Sequence, residues 1–358
     1  MKKQNSKKIL VDIDVTKAYN KLNKRKRLAY LSLCITLFVL LIIDLSTGST
    51  DKNIFNLILT SISNLSGNEF LILTNLRLPH TICSIIAGAT LGICGCLLQS
   101  SLGNPLASPS TIGISQGAAC GACVAIILGE SLFGQAELGP GENIIVVVFA
   151  FLFALIPCAI IFFISKLKKL SATSIILCGV AISIFFGGIV ALIEYFADST
   201  QVAEVVFWTF GSVYNTHYSG ILIIFTVMIF VLIYSVFNLT NLNALECGDT
   251  TAHSIGLNVK NTRLTILVIA ALGTGCVTAF CGTINFIGLI APHIMRKFVG
   301  SNYKYLLPTS AICGACLLVL SDVLSSIILP GVILPIGAIT SCIGAPIFIY
   351  VLARKKLS

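Results

Sequence analysis

The chain has 358 residues, of which 56% are hydrophobic and only 10% charged, far below the roughly 25% charged share of soluble domains. A mean hydropathy of +0.98 leaves too little polar surface to cover a water-soluble fold, so lipid is the solvent for most of it. The net charge of +9 does not point to nucleic acid, because Lys and Arg sit in short clusters between apolar runs and at both ends.

Residues 1–27 form a basic tail, and the apolar run from Leu28 follows it as in a signal peptide. The basic region is too long for one and no small-residue cleavage site is evident, so the run is expected to be a retained first span. Apolar segments then follow at 28–47, 77–99, 112–132, 143–165, 173–197, 219–239, 264–281, 284–298, 306–328 and 335–353. Each is read as a span of the membrane. The eighth is short and broken by Pro292, which leaves a re-entrant segment as its alternative.

Positive charge orients the series. With ten spans and the N-terminus inside, every Lys and Arg except Lys52 and Arg77 falls on the cytoplasmic side. Asp51, Glu69, Glu130, Glu137, Glu142, Asp198 and Glu204 fall outside. A non-spanning eighth segment would move the basic C-terminus to the wrong face. Residues 28–358 therefore read as one all-α, polytopic membrane domain of about ten helices. Spans 2–5 and 7–10 start from opposite sides, and both sets open with a Gly-, Ala- and Cys-rich helix followed by a Pro-containing break, Asn104-Pro105 and Ala291-Pro292. An inverted repeat would have that form.

Several chemistries are disfavoured. There is no G-x-x-x-x-G-K-[ST] loop, so no visible means of hydrolysing ATP, and no catalytic residue is assigned. The 14 cysteines lie almost entirely in apolar stretches, and Cys120-x-x-Cys123 and Cys313-x-x-Cys316 place two thiols on one helix face, a packing pattern. The apolar segments hold only Asp44, Glu194 and Asp322, each expected near an outer end and too scattered for a proton relay. His217, His253 and His293 form no metal- or haem-ligating cluster, and no metal site is expected.

The longest cytoplasmic loop, 240–263, carries a helical signal of its own. Asp249 is expected to cap a turn from Thr250 to Ile255, with Gly256 as its left-handed stop. Such a helix suits a lever for a docked soluble subunit, or a plain connector.

Arg77-Leu-Pro-His80, Gln99-Ser-Ser-Leu-Gly-Asn-Pro-Leu-Ala-Ser-Pro109 and Gly113-Ile-Ser-Gln-Gly117 resemble the pattern of the FecCD-type permeases. Gly248-Asp249-x-x-Ala252-x-x-x-Gly256-Leu257, Gly282 through Pro292-His293 to Arg296, Leu307-Pro308, Leu334-Pro-Ile-Gly337 and Gly344-Ala-Pro346 continue the likeness, in order and at family spacing. These are membrane subunits of ABC importers for iron siderophores, haem and cobalamin.

The resemblance implies ten helices per subunit, a second permease copy, two cytoplasmic ATP-binding subunits that hold ATP and Mg, and an extracytoplasmic binding protein. No cofactor is implied in this chain. It further implies coupling to the ATPase through Gly248, Asp249, Ala252 and Gly256, and a cytoplasmic gate at Asn104, Leu106, Ser171, Ala172 and Thr173. Docking of the binding protein would fall to Arg77, with His80 where a second arginine is usual and Ser326 where some members carry another. The location implied is the plasma (inner) membrane of a prokaryote, both termini cytoplasmic. An ion-coupled carrier acting alone is the alternative reading, opposed by the scarcity of central charges.

Overall fold

The structure is a computed structural model in which residues 2–46, 73–133, 144–168, 170–214, 216–329 and 332–355 are described. Among them the chain is helical throughout, with no strand. The order is α1 (Lys2–Ser46), a π-helical turn (Leu73–Arg77), α2 (Leu78–Ser101), a 3-10 turn (Ser110–Ile112), α3 (Ile114–Phe133), α4 (Ile144–Leu167) and α5 (Ala172–Tyr195). There follow α6 (Ser199–Phe210), α7 (Tyr218–Phe237), α8 (Leu239–Glu246), α9 (Asp249–Ser254) and α10 (Val259–Cys281). The chain closes with α11 (Ile287–Val299), α12 (Tyr303–Ile327) and α13 (Ile336–Lys355). Lys52 and the acidic residues Asp51, Glu69, Glu137 and Glu142 of the expected outer loops lie outside the described residues.

Among the described residues, 7 helices are long and apolar enough to cross a membrane, in α1, α2, α4, α5, α7, α10 and α12. The other three expected spans are not among those seven. Helices α3 and α13 have 20 residues each, with side chains described over Ile114–Gly129 and Ile336–Tyr350. Helix α11 has 13 residues, about 20 Å at 1.5 Å per residue against a hydrocarbon core of about 30 Å. A hydropathy run sees only composition. It misses Gly300, at which α11 stops.

Helix α2 is the hub, packing against α12, α10, α11 and α7. Its composition is the cause: Gly88, Gly92 and Gly95 let neighbouring backbones approach. A Cβ on Gly314 would stand 2.2 Å from the Gly88 carbonyl oxygen, and one on Gly88 would stand 2.5 Å from that of Gly314. The α2–α12 contact therefore requires glycine on both sides. Of the apolar window in α2, 83% is buried, against 17% in α5 and 6% in α1. Helix α5 turns Leu177, Ile184, Phe185 and Leu192 outward.

The helix pairs recur in two halves. Contact of α2 with α12 is matched by α10 with α4, α3 with α4 by α11 with α12, and α2 with α11 by α10 with α3.

Candidate functional site

The loop expected to carry a lever folds as two helices. Helix α8 was not foreseen, and α9 is the one that was. Its N-cap is Gly248, at φ +99°, with no side-chain cap. Asp249 is the first helical residue and does not cap, which corrects the sequence reading. Its carboxylate instead accepts from Arg263 Nη2 at 2.8 Å. Gly256 ends the element as expected, at φ +85°, with its N–H donating to the His253 carbonyl at 3.0 Å. A residue with a Cβ is strained in that conformation.

Arg263 is the junction of the region. Only 7% exposed, it reaches across from the second turn of α10 to Asp249 and, through Nε, to the carbonyl of Ser101 at the end of α2 at 2.5 Å. Ser100 Oγ adds a bond to the Leu242 carbonyl of α8 at 3.1 Å. A second knot lies alongside. Glu246, the last residue of α8, accepts from Arg296 of α11 and from Tyr303 Oη of α12 at 3.1 Å. Gln99 Nε2 donates to the Leu289 carbonyl of α11 at 3.1 Å. Charge-assisted bonds of this kind are the stronger class. They fasten the α8–α9 segment to three of the long packed helices.

The residues expected to form a gate lie at the end of α2 and the start of α5. Asn104 lies three residues after Ser101, in the turn that follows α2, where its Oδ1 accepts from the Leu106 N–H at 2.9 Å; Leu106 is exposed. Ser171 is the N-cap of α5, its Oγ accepting from Ser174 N at 3.1 Å, so Ala172 and Thr173 form the first turn of that helix. A cavity of about 290 Å³ lies between α9 and the start of α5, lined by Ser165, Leu170, Ile175, Asp249, His253 and Arg263 among others. Asp249 and the N-terminal turn of α5 thus share one space.

Three expected positions differ. Ala252, expected as a close-contact surface for a partner, is fully buried in this chain's own core with Leu242 and Val259. Arg77 and His80, expected to point outward, are 4% and 6% exposed. Arg77 donates to the Leu45 carbonyl of α1 at 2.9 Å. His80 Nδ1 lies 3.3 Å from Asp322 Oδ2. The long α1 packs against α12 and its Leu45 carbonyl holds Arg77, a packing that no local pattern in the sequence discloses. Ser326 bonds Tyr214 Oη at 3.1 Å. Sequence reasoning also overlooked Arg263 and Glu246. The signal for Glu246 was available, because beyond the N-terminal tail only Glu246 and Asp249 place acid on the basic side. For Arg263 there was none, since it was counted only as a topology charge.

A family model described as the FecCD transport family matches residues 36–354. The chain belongs to that family. A protein of Methanocaldococcus jannaschii provisionally described as an ABC transporter permease is 40% identical over 347 residues, covering 96% of this chain and 99% of that one. The hemin transport system permease protein HmuU of Yersinia pestis is 31% identical over 326 residues, covering 90% and 96%. A solved inward-facing transporter, provisionally described as an ABC transporter of metal-chelate type, superposes with a TM-score of 0.78 at 26% identity, covering 92% of this chain and 99% of that one. This permease is thus a multi-pass, all-helical member of a family of transport subunits.

Proposed function

We propose that this permease is the membrane subunit of an ATP-driven importer for a metal chelate, within the class of iron siderophores, haem and cobalamin. The observation that carries the reading is the tie from α9 through Arg263 to the end of α2, beside the first turn of α5. A soluble ATPase seated against α9 would move Asp249, and Asp249 is bonded to Arg263, which holds the Ser101 carbonyl three residues before Asn104. Closure of two ATP-binding subunits around ATP and Mg²⁺ would in this way reach the gate at Asn104, Leu106 and Ser171 to Thr173, giving alternating access without covalent chemistry in this chain. The outward apolar face of α5 suits a second permease copy across a shared path.

Ten membrane crossings, with α3, α11 and α13 completing the seven long helices, fit the charge distribution and keep both termini cytoplasmic in the inner membrane of a prokaryote. The mirrored helix contacts of α2–α5 and α10–α13 support an inverted repeat. An extracytoplasmic binding protein would dock on the opposite end, where Arg77 and His80 act by fixing the outer ends of α1, α2 and α12 from beneath the surface.

Vanadate added to transport-active vesicles containing the assembled importer tests the reading. Uptake is expected to stop with the ATPase. Continued uptake on an ion gradient would assign the chain to the ion-coupled carriers instead.

A further inference from the structure

Helix α1 buries almost none of its described side chains. Among its described side chains Asp44 is the single buried one, at 1% exposure, although a carboxylate is the costliest kind of group to hold at the membrane end of a lipid-facing helix. Its destination is a cluster built from three helices. Asp44 of α1, His80 of α2 and Asp322 of α12 each present a ligand-type atom within 4.8 Å of the others. All three residues are buried, and Asp322 is 0% exposed. Hydroxyls hold the carboxylates in place: Thr81 Oγ1 donates to Asp44 Oδ2 at 2.5 Å, and Ser84 Oγ donates to Asp322 Oδ2 at 2.8 Å. The His80 ring lies against Tyr214, with centroids 4.5 Å apart.

One feature goes beyond a satisfied polar knot. Asp322 Oδ1 is buried and, among the described residues, has no hydrogen-bond partner, although a buried carboxylate oxygen normally has a donor. One imidazole nitrogen and two carboxylate oxygens form a borderline-hard donor set suited to divalent first-row transition metals.

We propose that Asp44, His80 and Asp322 form a site for a divalent first-row transition-metal ion that clamps α1 to the α2–α12 pair. Metal–donor bonds of about 2.1 Å put tetrahedral neighbours about 3.4 Å apart, so side-chain rotation of the order of 1 Å closes the set. The ion would take the orphaned Asp322 Oδ1 as ligand. The competing occupant is a proton on His80, which would strengthen its contact with Asp322 Oδ2 but leaves Oδ1 without a donor.

The test uses the full-length permease, purified in detergent, stripped with a chelator and dialysed against Co²⁺. One Co²⁺ per chain is expected, with a d–d spectrum of nitrogen and oxygen ligation and without the sulfur-to-metal band that cysteine binding would give. His80→Gln and Asp322→Asn should each weaken binding at least about tenfold, while His217→Gln leaves it unchanged. Co²⁺ should also raise the thermal midpoint of the unaltered chain and not that of His80→Gln. A spectrum and stoichiometry identical in the unaltered chain, His80→Gln and Asp322→Asn would overturn the proposal, as would absence of binding. If no Co²⁺ binds while the midpoint falls as pH rises through the histidine range, the proton is the occupant and the metal site is refuted.

Discussion

Arg263 Nη2 stands 2.8 Å from Asp249 Oδ1 while Arg263 Nε holds the Ser101 carbonyl, so a single side chain spans α9 and the end of the buried hub helix. The pairing is 8% exposed on the arginine side and 56% on the aspartate side. The arginine is therefore part of the bundle, and the aspartate is open to the surface. Removing the arginine would leave a buried carbonyl without its donor, a cost of about 1–3 kcal/mol.

Gly256→Pro should uncouple ATP hydrolysis from uptake. At φ +85° proline cannot fit, and it removes the N–H that bonds His253. Uptake is expected to fall at least about tenfold with the permease still eluting as a single folded species in size-exclusion chromatography. Normal uptake with normally stimulated ATPase activity would make α9 a plain connector.

Ala252→Arg should act differently. Ala252 is fully buried in this chain, so a buried unpaired guanidinium strikes the fold before it reaches any partner. The expected outcome is loss of membrane-inserted, monodisperse protein. A well-folded but uncoupled Ala252→Arg would return the residue to the partner interface.

Gly314→Leu should separate α2 from α12, since even its Cβ would stand 2.2 Å from a backbone oxygen. Overpacking at such a contact costs about 1–3 kcal/mol or more. A thermal midpoint in detergent several degrees lower is expected. An unchanged midpoint would mean that the helices pack more loosely than described.

Arg77→Ala separates burial from docking. The guanidinium holds Leu45 of α1, so its loss should lower the thermal midpoint. Affinity for the binding protein should change less than about threefold. A drop of tenfold or more in affinity at unchanged stability would restore Arg77 to the docking surface.

Much of the fold was legible because lipid imposes simple rules. Long apolar runs became α1, α2, α4, α5, α7, α10 and α12, since a backbone in hydrocarbon must close its own hydrogen bonds. The left-handed stop at Gly256 was legible for the same local reason. Contacts between helices distant in sequence were not. Asp44 and Asp322 read as scattered outer-end residues and His80 as a docking residue, and the contacts of Thr81 with Asp44 and of His80 with Asp322, 37 and 242 residues apart along the chain, form only when α1, α2 and α12 meet. Thr81 supplies the first of those contacts, next in sequence to His80. Arg263 is the clearest case. Its 14-residue separation from Asp249 spans two helices and a turn, matches no helical period, and left its role invisible until the loop had folded.

The most direct test of the coupling account is the number of ATP molecules hydrolysed per cargo molecule taken up, measured in proteoliposomes containing the complete importer, with and without Arg263→Ala. Hydrolysis is expected to stay within about twofold while uptake falls, so that the ratio rises about tenfold or more, with Arg263→Lys intermediate because it keeps the charge but not the two-armed reach. An unchanged ratio in Arg263→Ala would contradict a path of transmission from α9 through Arg263 to α2.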